Sequence, residues 1–334
     1  MEARVHSPTP ANLRRLAAAL QRGELVAIPT ETVYGLAAHA LDAKACRAIF
    51  RAKRRPANDP LIVHVLDLAH AEQLAEFNPA ARKLARRFWP GPLTLVLPKK
   101  ACVPGIVTSG GPTVAVRAPA HSLARRLLRL AKIPLAAPSA NLFGYISPTT
   151  AAHVRDGLGR RIPHILDGGA SAVGVESTVL DLTHPARPRV LRPGAVTAAQ
   201  LEKALGVKVH GAKAKGSRAR QLAPGMLERH YSPRTPLTLG RAPAAAPKDM
   251  AVILLRRPAG RPGENVFWLS RRGALGEIAR QLYDVLRGAD TGGFRRIIVE
   301  PLPADAGGLA AAINDRLKRA AAKRPPSPRL WRAG

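Results

Sequence analysis

Leu25 to His64 spells out a complete strand–loop–helix–loop–strand unit, and the residues that interrupt it constrain the fold more than any other stretch. The apolar run Leu25-Val26-Ala27-Ile28 reads as a buried strand. Pro29 breaks it into the hydroxyl-rich segment Thr30-Glu31-Thr32, followed by Tyr34 and Gly35. The pattern predicts a helix from about Asp42 to Ala52, with Asp42 as its N-cap. That helix runs into the cationic cluster Lys53-Arg54-Arg55, and Pro56 stops it. A second apolar run, Leu61-Ile62-Val63, then delivers His64. Hydroxyls after one strand, paired cations after the helix and an imidazole on the next strand suit a small polar anion. Phosphate and carboxylate are the natural choices.

Along the rest of the first two-thirds, short apolar runs alternate with helical stretches, which predicts an α/β fold. Strands are expected at 93–97, 113–117, 135–137, 165–167, 178–181 and 189–191, and helices at 10–21, 80–88, 122–132 and 198–205. The strands are short and irregularly spaced, so a mixed, twisted sheet is expected rather than a purely parallel one. From His210 to Pro236 the composition shifts to Gly, Lys, Arg, Ser and Pro, which reads as a linker. Within it lies an ordered-looking island from Ala223 to Pro233, where His230-Tyr231 is flanked by Arg229 and Arg234. A smaller, Rossmann-like α/β unit is expected from Met250 onward, with strands at 251–255, 266–269 and 296–299 and helices at 276–287 and 309–322. It has no GxGxxG, so nucleotide binding there has no support. The last dozen residues read as frayed. The expected division is 1–209, a linker or lid at 210–239, and 240–334.

The 334 residues can bury at least one core, and an apolar fraction of 46% excludes wholesale disorder. No run approaches the roughly 18–20 apolar residues of a membrane span, and no signal-peptide order is visible at the start. Cys46 and Cys102 stand far apart without CxxC spacing, which argues for a reducing cytoplasm and against structural zinc. A formal charge of +31 fits either an anionic partner such as nucleotide or RNA, or basic side chains spread over solvated faces. One local fact is sharper. From Phe77 through Arg155 there is no Asp or Glu, while twelve Lys and Arg fall in that span. That stretch offers no paired carboxylates and no carboxylate metal cage, but it can supply a positive field for phosphates.

Four constellations carry chemistry. Lys53 and Arg55 diverge if helical and converge if the chain turns extended before Pro56; alone, such a cluster is more often a solvated basic turn. Ser139 and Asn141, at i and i+2 of an extended segment, offer a hydroxyl and an amide to one side, or else simply form a Ser or Asx turn. Thr113 and Arg117 share a face of one strand, and a buried Arg there needs an anion, from a protein carboxylate or a ligand. The acid-free surroundings favour the ligand. In the fourth, Ser177 and Thr178 begin a strand and Arg192 ends one, with Glu176 as a partner for a site cation or a surface acid. His64 alone is weak, and no GxSxG elbow marks a serine nucleophile.

Taken in order, PTETVYGL, KRRP, PLIVH, FWPGPLT, VAVRAP, PSAN, GVESTVLD and LRPG resemble the YrdC/Sua5 family of threonylcarbamoyl-AMP synthases, and the His-Tyr linker with a second α/β domain resembles its two-domain Sua5 type. The resemblance implies a YrdC-like fold that converts L-threonine, bicarbonate and ATP, with Mg²⁺, to threonylcarbamoyl-AMP and pyrophosphate. That is the first step towards t6A in tRNA, ahead of a threonylcarbamoyl transferase complex. It places Lys53, Arg55, Ser139 and Asn141 on nucleotide phosphates, and Thr113, Ser147 and Arg192 at further ATP positions. Thr32, His64, Arg117, Ala137 and Ser177 fall where the family binds threonine, with Arg117 on its carboxylate. Tyr231 falls on a lid over the nucleotide. One departure is Asn58-Asp59-Pro60, where the family often reads Asp-Asn-Pro; an Asp59 in contact with phosphates would repel them. The competing expectations are a module binding double-stranded RNA, in line with the charge, and a carbamoyl-transfer domain of the hydrogenase-maturation type, whose zinc-finger cysteines are missing here.

Overall fold

The computed structural model describes residues 2–211, 230–243, 246–303 and 306–322. Residues 212–229, which include most of the expected 223–233 island, and the terminal residues 323–334 lie outside the described residues. The first part runs β1 (Arg4–His6), α1 (Pro10–Gln21), β2 (Val26–Ile28), β3 (Gly35–His39), α2 (Ala43–Lys53), β4 (Ile62–His64), α3 (Leu68–Glu72) and α4 (Pro79–Phe88). It continues with β5 (Leu93–Pro98), β6 (Thr113–Arg117), α5 (Ser122–Ala131), β7 (Leu135–Ala136), α6 (Ala151–Leu158), β8 (His164–Leu166), β9 (Thr178–Asp181), β10 (Arg189–Arg192), α7 (Ala198–Leu205) and β11 (His210–Gly211). The second part holds β12 (Leu237–Leu239), β13 (Met250–Leu254), β14 (Val266–Trp268), α8 (Leu275–Thr291), β15 (Arg296–Val299) and α9 (Ala310–Ala321).

Strands of the first part form one eleven-stranded sheet in the order β1-β8-β2-β3-β7-β4-β6-β5-β9-β10-β11. It is mixed: β4 runs parallel to β6 and β5 to β9, whereas β2/β3, β4/β7 and β5/β6 are antiparallel. The second part is a wholly parallel four-stranded sheet, β12-β15-β13-β14, with α8 and α9 alongside. Both agree with the α/β expectation.

Local chemistry sets the element ends. The Asp42 carboxylate accepts the amides of Lys44 and Ala45 and caps α2, which Arg54 closes in the left-handed conformation at φ 53°. Thr9 caps α1, with Pro10 at its first turn. β3 departs from the sequence reading, which predicts no strand between Ile28 and Asp42. Gly-Leu-Ala-Ala-His shows neither alternation nor β-branched residues, yet it is almost wholly buried and pairs with β2 on one side and β7 on the other. Tertiary burial, not propensity, makes it a strand. The hydroxyl segment 29–34 is therefore the turn of a β2–β3 hairpin.

Leu13, Leu16 and Leu20 of α1 pack with Leu127 and Leu128 of α5, while Ile49, Leu84, Leu93, Leu95 and Leu97 belong to a second core. Each fully buried Leu contributes about 1.5–3 kcal/mol relative to exposure. A third cluster joins the two parts: Ile253, Leu282, Ile297 and Ile313 share it with Val33, Ile146 and Val175.

Candidate functional site

A pocket opens where the β2–β3 turn, the C-terminal ends of β4 and β6 and the approach to β9 meet, beneath His230 and Tyr231. At one end lies Arg117, the last residue of β6 and 3% exposed. Its guanidinium donates to the Gly91 carbonyl (3.2 Å), to Thr32 Oγ1 (3.0 Å) and to Glu31 Oε1 (2.6 Å). Thr30 Oγ1 lies 2.9 Å from Thr32 Oγ1 and donates to the Val33 carbonyl, which fixes the turn. The sheet register sets His64 opposite Arg117. Burial, and then the Arg117 charge, push the His64 imidazole down to about 3, so it is neutral at pH 7. Burial pushes the Glu31 carboxyl up, but Arg117 outweighs it and the group sits below its ordinary value. His64 Nδ1 and Glu31 Oε2 are buried without a hydrogen-bond partner in the protein, a feature that a polar ligand or water would answer.

Glu31 changes one expectation. The acid-free stretch around Arg117 favoured a ligand as its anion, yet a protein carboxylate is already there. It arrives from the β2–β3 turn, across β3, β7 and β4 in the sheet, where no local window could reveal it.

The other end carries the second set of cations. Lys53 is 1% exposed, and its Nζ donates to the carbonyls of Ser139 (2.5 Å) and Asn141 (2.6 Å). Burial, then Arg55, push its pKa well below the ordinary lysine value. The Arg55 guanidinium donates to the carbonyls of Asp59 (2.9 Å) and Pro60 (2.7 Å), and it lies 2.9 Å from the Asp59 carboxylate. Neither Asp59 carboxylate oxygen has an aligned hydrogen-bond donor, so this is a contact of charge rather than of hydrogen bonding. Burial raises the Asp59 pKa despite Arg55 and Lys53. Asp59 thus sits against Arg55 and cancels part of its charge. Arg192, at the end of β10, donates to the Ser177 carbonyl through Nε (3.1 Å) and to Ser177 Oγ (3.1 Å).

Glu176 joins this end to the second sheet. Its Oε1 accepts from Ser147 Oγ (2.6 Å), and its Oε2 accepts from Tyr283 OH of α8 (2.9 Å) and from Arg316 Nε of α9 (2.8 Å). Burial would raise this carboxyl, but Arg316 and then Arg192 hold it down at about 2. The Arg316 guanidinium also lies over the Tyr231 ring at 5.3 Å. Tyr231 has φ 61°, a left-handed conformation that bulky residues seldom adopt, and its ring stacks on Tyr283 at 5.8 Å. Two glycines are required here. A Cβ on Gly174 (φ +82°) would lie 2.3 Å from the Ala279 carbonyl oxygen of α8, and one on Gly194 would lie 2.3 Å from the Thr178 amide nitrogen.

Of the residues singled out from sequence, Thr32, His64, Arg117, Ala137, Ser139, Ser177, Arg55, Arg192 and Tyr231 line this one pocket. Lys53, Asn141 and Ser147 stand behind its wall: Lys53 ties down the 139–141 segment, Asn141 Nδ2 donates to the Leu142 and Tyr145 carbonyls, and Ser147 reaches Glu176. The expected outward presentation of the Asn141 amide is therefore not what the structure has. Thr113 lies outside the pocket wall, at the far end of β6 from Arg117, about 13 Å away at strand rise. Glu176 is buried and not a surface acid, and its partner Arg316 was missed, because nothing in an amphipathic helix 140 residues away marks one arginine as the buried one.

Comparison with known proteins agrees with this architecture. The Sua5/YciO/YrdC family model, described as telomere recombination, matches residues 18–194, and the model of the threonylcarbamoyl-AMP synthase C-terminal domain matches residues 196–322. The threonylcarbamoyl-AMP synthase of Pyrococcus abyssi is 42% identical over 326 residues, covering 93% of this chain and 94% of the relative. That of Bacillus subtilis is 40% identical over 327 residues, covering 93% of each. The crystal structure of P. abyssi Sua5 complexed with L-threonine matches with a TM-score of 0.86 at 39% identity, covering 96% of this chain and 98% of that one.

Proposed function

Because this chain belongs to the Sua5/YciO/YrdC family and carries the C-terminal domain of threonylcarbamoyl-AMP synthases, we propose that it condenses L-threonine, bicarbonate or CO₂, and ATP to threonylcarbamoyl-AMP with release of pyrophosphate. The observation that carries this reading is one pocket with two buried cationic ends, Arg117 beside Thr32 and His64, and Arg55 with Arg192 under Tyr231. An amino acid and a nucleotide each bring an anion to such ends, and the P. abyssi relative is described in complex with L-threonine.

In this reading the threonine carboxylate lies on Arg117, two of whose five N–H donors remain beyond the three already engaged. Its uncharged amine attacks CO₂ to give a carbamate, and the N–H proton released passes to solvent. A carbamate oxygen then attacks the α-phosphorus of ATP, the bond from that phosphorus to the oxygen bridging to the β-phosphate breaks, and pyrophosphate leaves. Arg55 and Arg192 stabilise charge on the phosphates, while Lys53 holds the Ser139–Asn141 segment to the shape the nucleotide requires. Thr32, Ala137 and Ser177 shape the threonine side; Ser139 and Tyr231 line the nucleotide side with Ser147 behind its wall, and Thr113, outside that wall, could meet only a part of the nucleotide that extends beyond this pocket. His64, neutral at pH 7, orients rather than charges the site. Catalysis here is positioning plus electrostatics.

Mg²⁺ fits as the nucleotide's own ion. The carboxylates around the pocket, Glu31, Asp59 and Glu176, each face an arginine, so phosphate and water oxygens would supply its ligands and the ion would neutralise phosphate charge. The expected bounds 1–209 and 240–334 each fall short by one strand, since β11 (His210–Gly211) belongs to the first sheet and β12 (Leu237–Leu239) to the second. In this reading the first part is the catalytic domain, the stretch between β11 and β12 the linker and lid, and the rest the second domain, in the cytoplasm, with a tRNA-modifying threonylcarbamoyl transferase as the consumer of the product. No helix among the described residues is long and apolar enough to cross a membrane.

Purified protein given ATP and Mg²⁺ is expected to release pyrophosphate only when both L-threonine and bicarbonate are present. Release independent of either, from folded protein, overturns the reading and promotes salt-dependent RNA binding in its place.

A further inference from the structure

Arg316 is among the largest fully buried side chains of the described residues, and nothing in the proposed chemistry uses it directly. It projects from α9 of the second sheet into the wall of a pocket built by the first. Nε donates to Glu176 Oε2 at 2.8 Å, one amino group reaches the Pro193 carbonyl at 2.8 Å and the Asp315 carboxylate at 2.8 Å, and the plane lies over the Tyr231 ring. A fully buried guanidinium is retained only against matched acceptors, and here these include the pocket-lining Glu176 and the residue following Arg192. Glu176 in turn takes the hydroxyls of Ser147 and Tyr283, so its carboxylate direction is fixed from both domains.

We propose that Arg316 is a positioning residue for the nucleotide: by engaging Glu176 Oε2 and the Pro193 carbonyl, it holds the Glu176 carboxylate off the phosphate-binding cations and fixes Arg192 and Tyr231 for the triphosphate. The proposal rests on the synthase reading and adds a role for the second domain within it. Glu176 feels two guanidinium groups strongly, Arg316 and then Arg192. Remove Arg316 and the buried carboxylate loses the first of its counter-charges, with Arg192 as its remaining guanidinium neighbour. It then competes with the incoming phosphates for Arg192 and abandons the Ser147 hydroxyl. The penalty falls first on ATP, because the threonine end is built mainly from Arg117 and His64 at the ends of β6 and β4 and from Thr32 in the β2–β3 turn, and only Ser177 there is held by Arg192.

The test is steady-state pyrophosphate release by the full chain as wild type, Arg316→Met, Glu176→Gln and the double variant, with melting temperatures in parallel. Arg316→Met should raise KM for ATP at least tenfold while raising KM for L-threonine, through Ser177, by no more than about threefold. Adding Glu176→Gln, which keeps an acceptor for Ser147 but removes the charge, should recover most of that loss. A merely structural arginine gives a different pattern: both KM values rise together while kcat and the melting temperature fall, and the double variant is no better than the single. That result, or an unchanged KM for ATP in Arg316→Met, overturns the proposal. Should Arg316→Met not fold, Arg316→Lys carries the same test, since lysine keeps the charge but cannot reach Glu176 and Pro193 together; the same selective rise, at about threefold, is then required. A wild type without threonine-dependent release removes the synthase reading, and this proposal with it, whereas an active wild type with an indifferent Arg316→Met removes this proposal alone.

Discussion

The two ends of the pocket solve the same problem over different distances. Each buries arginine beside a carboxylate, because neither charge survives desolvation alone. At the proposed threonine end the partners are Arg117 of the large sheet and Glu31 of its β2–β3 turn, with Thr32 and Gly91 taking two more of the guanidinium's N–H groups. At the proposed nucleotide end one pair is local, Arg55 with Asp59 four residues on, and the other joins the two parts, Glu176 with Arg316 of α9. The first end is complete within one sheet. The second needs the other.

Removing Arg117 is the hardest way to break this symmetry. Arg117→Ala should cost about 3–5 kcal/mol in denaturant unfolding, because Glu31 stays buried without its cation, and threonine-dependent turnover should vanish; a variant with near-native stability would show that Glu31 has another partner. Arg55→Ala should lower kcat/KM by roughly a hundredfold, the loss typical of one preorganised charge-stabilising donor, and Lys53→Ala should behave likewise through displacement of Ser139 and Asn141. Near-wild-type pyrophosphate release by either would remove the cations from the mechanism.

Asp59→Asn sharpens the contrast more gently. Asn keeps the shape and leaves Arg55 with its full charge, so the ligand-free protein should melt a few degrees lower while ATP gives a larger upward shift and a KM several-fold lower than in wild type. An ATP shift no larger than wild type would mean that Asp59 does not compete with phosphate.

The smallest effect is a difference in acid sensitivity between the ends. His64 stays neutral in the native state down to about 3, while the unfolded chain protonates it near 6.5. The unfolded state therefore takes its proton first, and stability falls as pH drops from 6.5 towards 3. Glu176 stays ionised down to about 2 against an ordinary 4.5, so its contribution is fully present above 4.5 and is lost between 4.5 and 2. Denaturation midpoints against pH should show His64→Gln flattening the limb that begins near 6.5, with Glu176→Gln lowering stability by a constant amount above 4.5 and changing the pH slope only below it. Coincident limbs in the two variants would contradict separate ends.

The same contrast explains what the sequence could and could not reveal. Asp42 as a cap, the stop after Lys53 and the strand Thr113–Arg117 are settled by neighbours within a few residues, and they are where the residues placed them. β3 was invisible because Gly-Leu-Ala-Ala-His has no periodicity of its own; it is a strand because β2 and β7 flank it. Glu31 and Arg316 were missed as ion partners because pairing across a sheet or between domains leaves no mark in the spacing of either residue. Motif order located the pocket, but it could not separate its wall, Arg55 and Ser139, from the side chains standing behind it, Lys53 and Asn141.

Val33, Ile146 and Val175 of the first part share one apolar cluster with Leu282 and Ile313 of the second, and α8 presses on Gly174 too closely for any side chain there. At that seam neither half closes its apolar surface alone. A truncated chain ending after β11 would carry an oily scar in place of that seam, prone to clump with its own copies, so gene fusion, splitting or domain exchange in this protein has to move both faces of the seam as a single inherited piece.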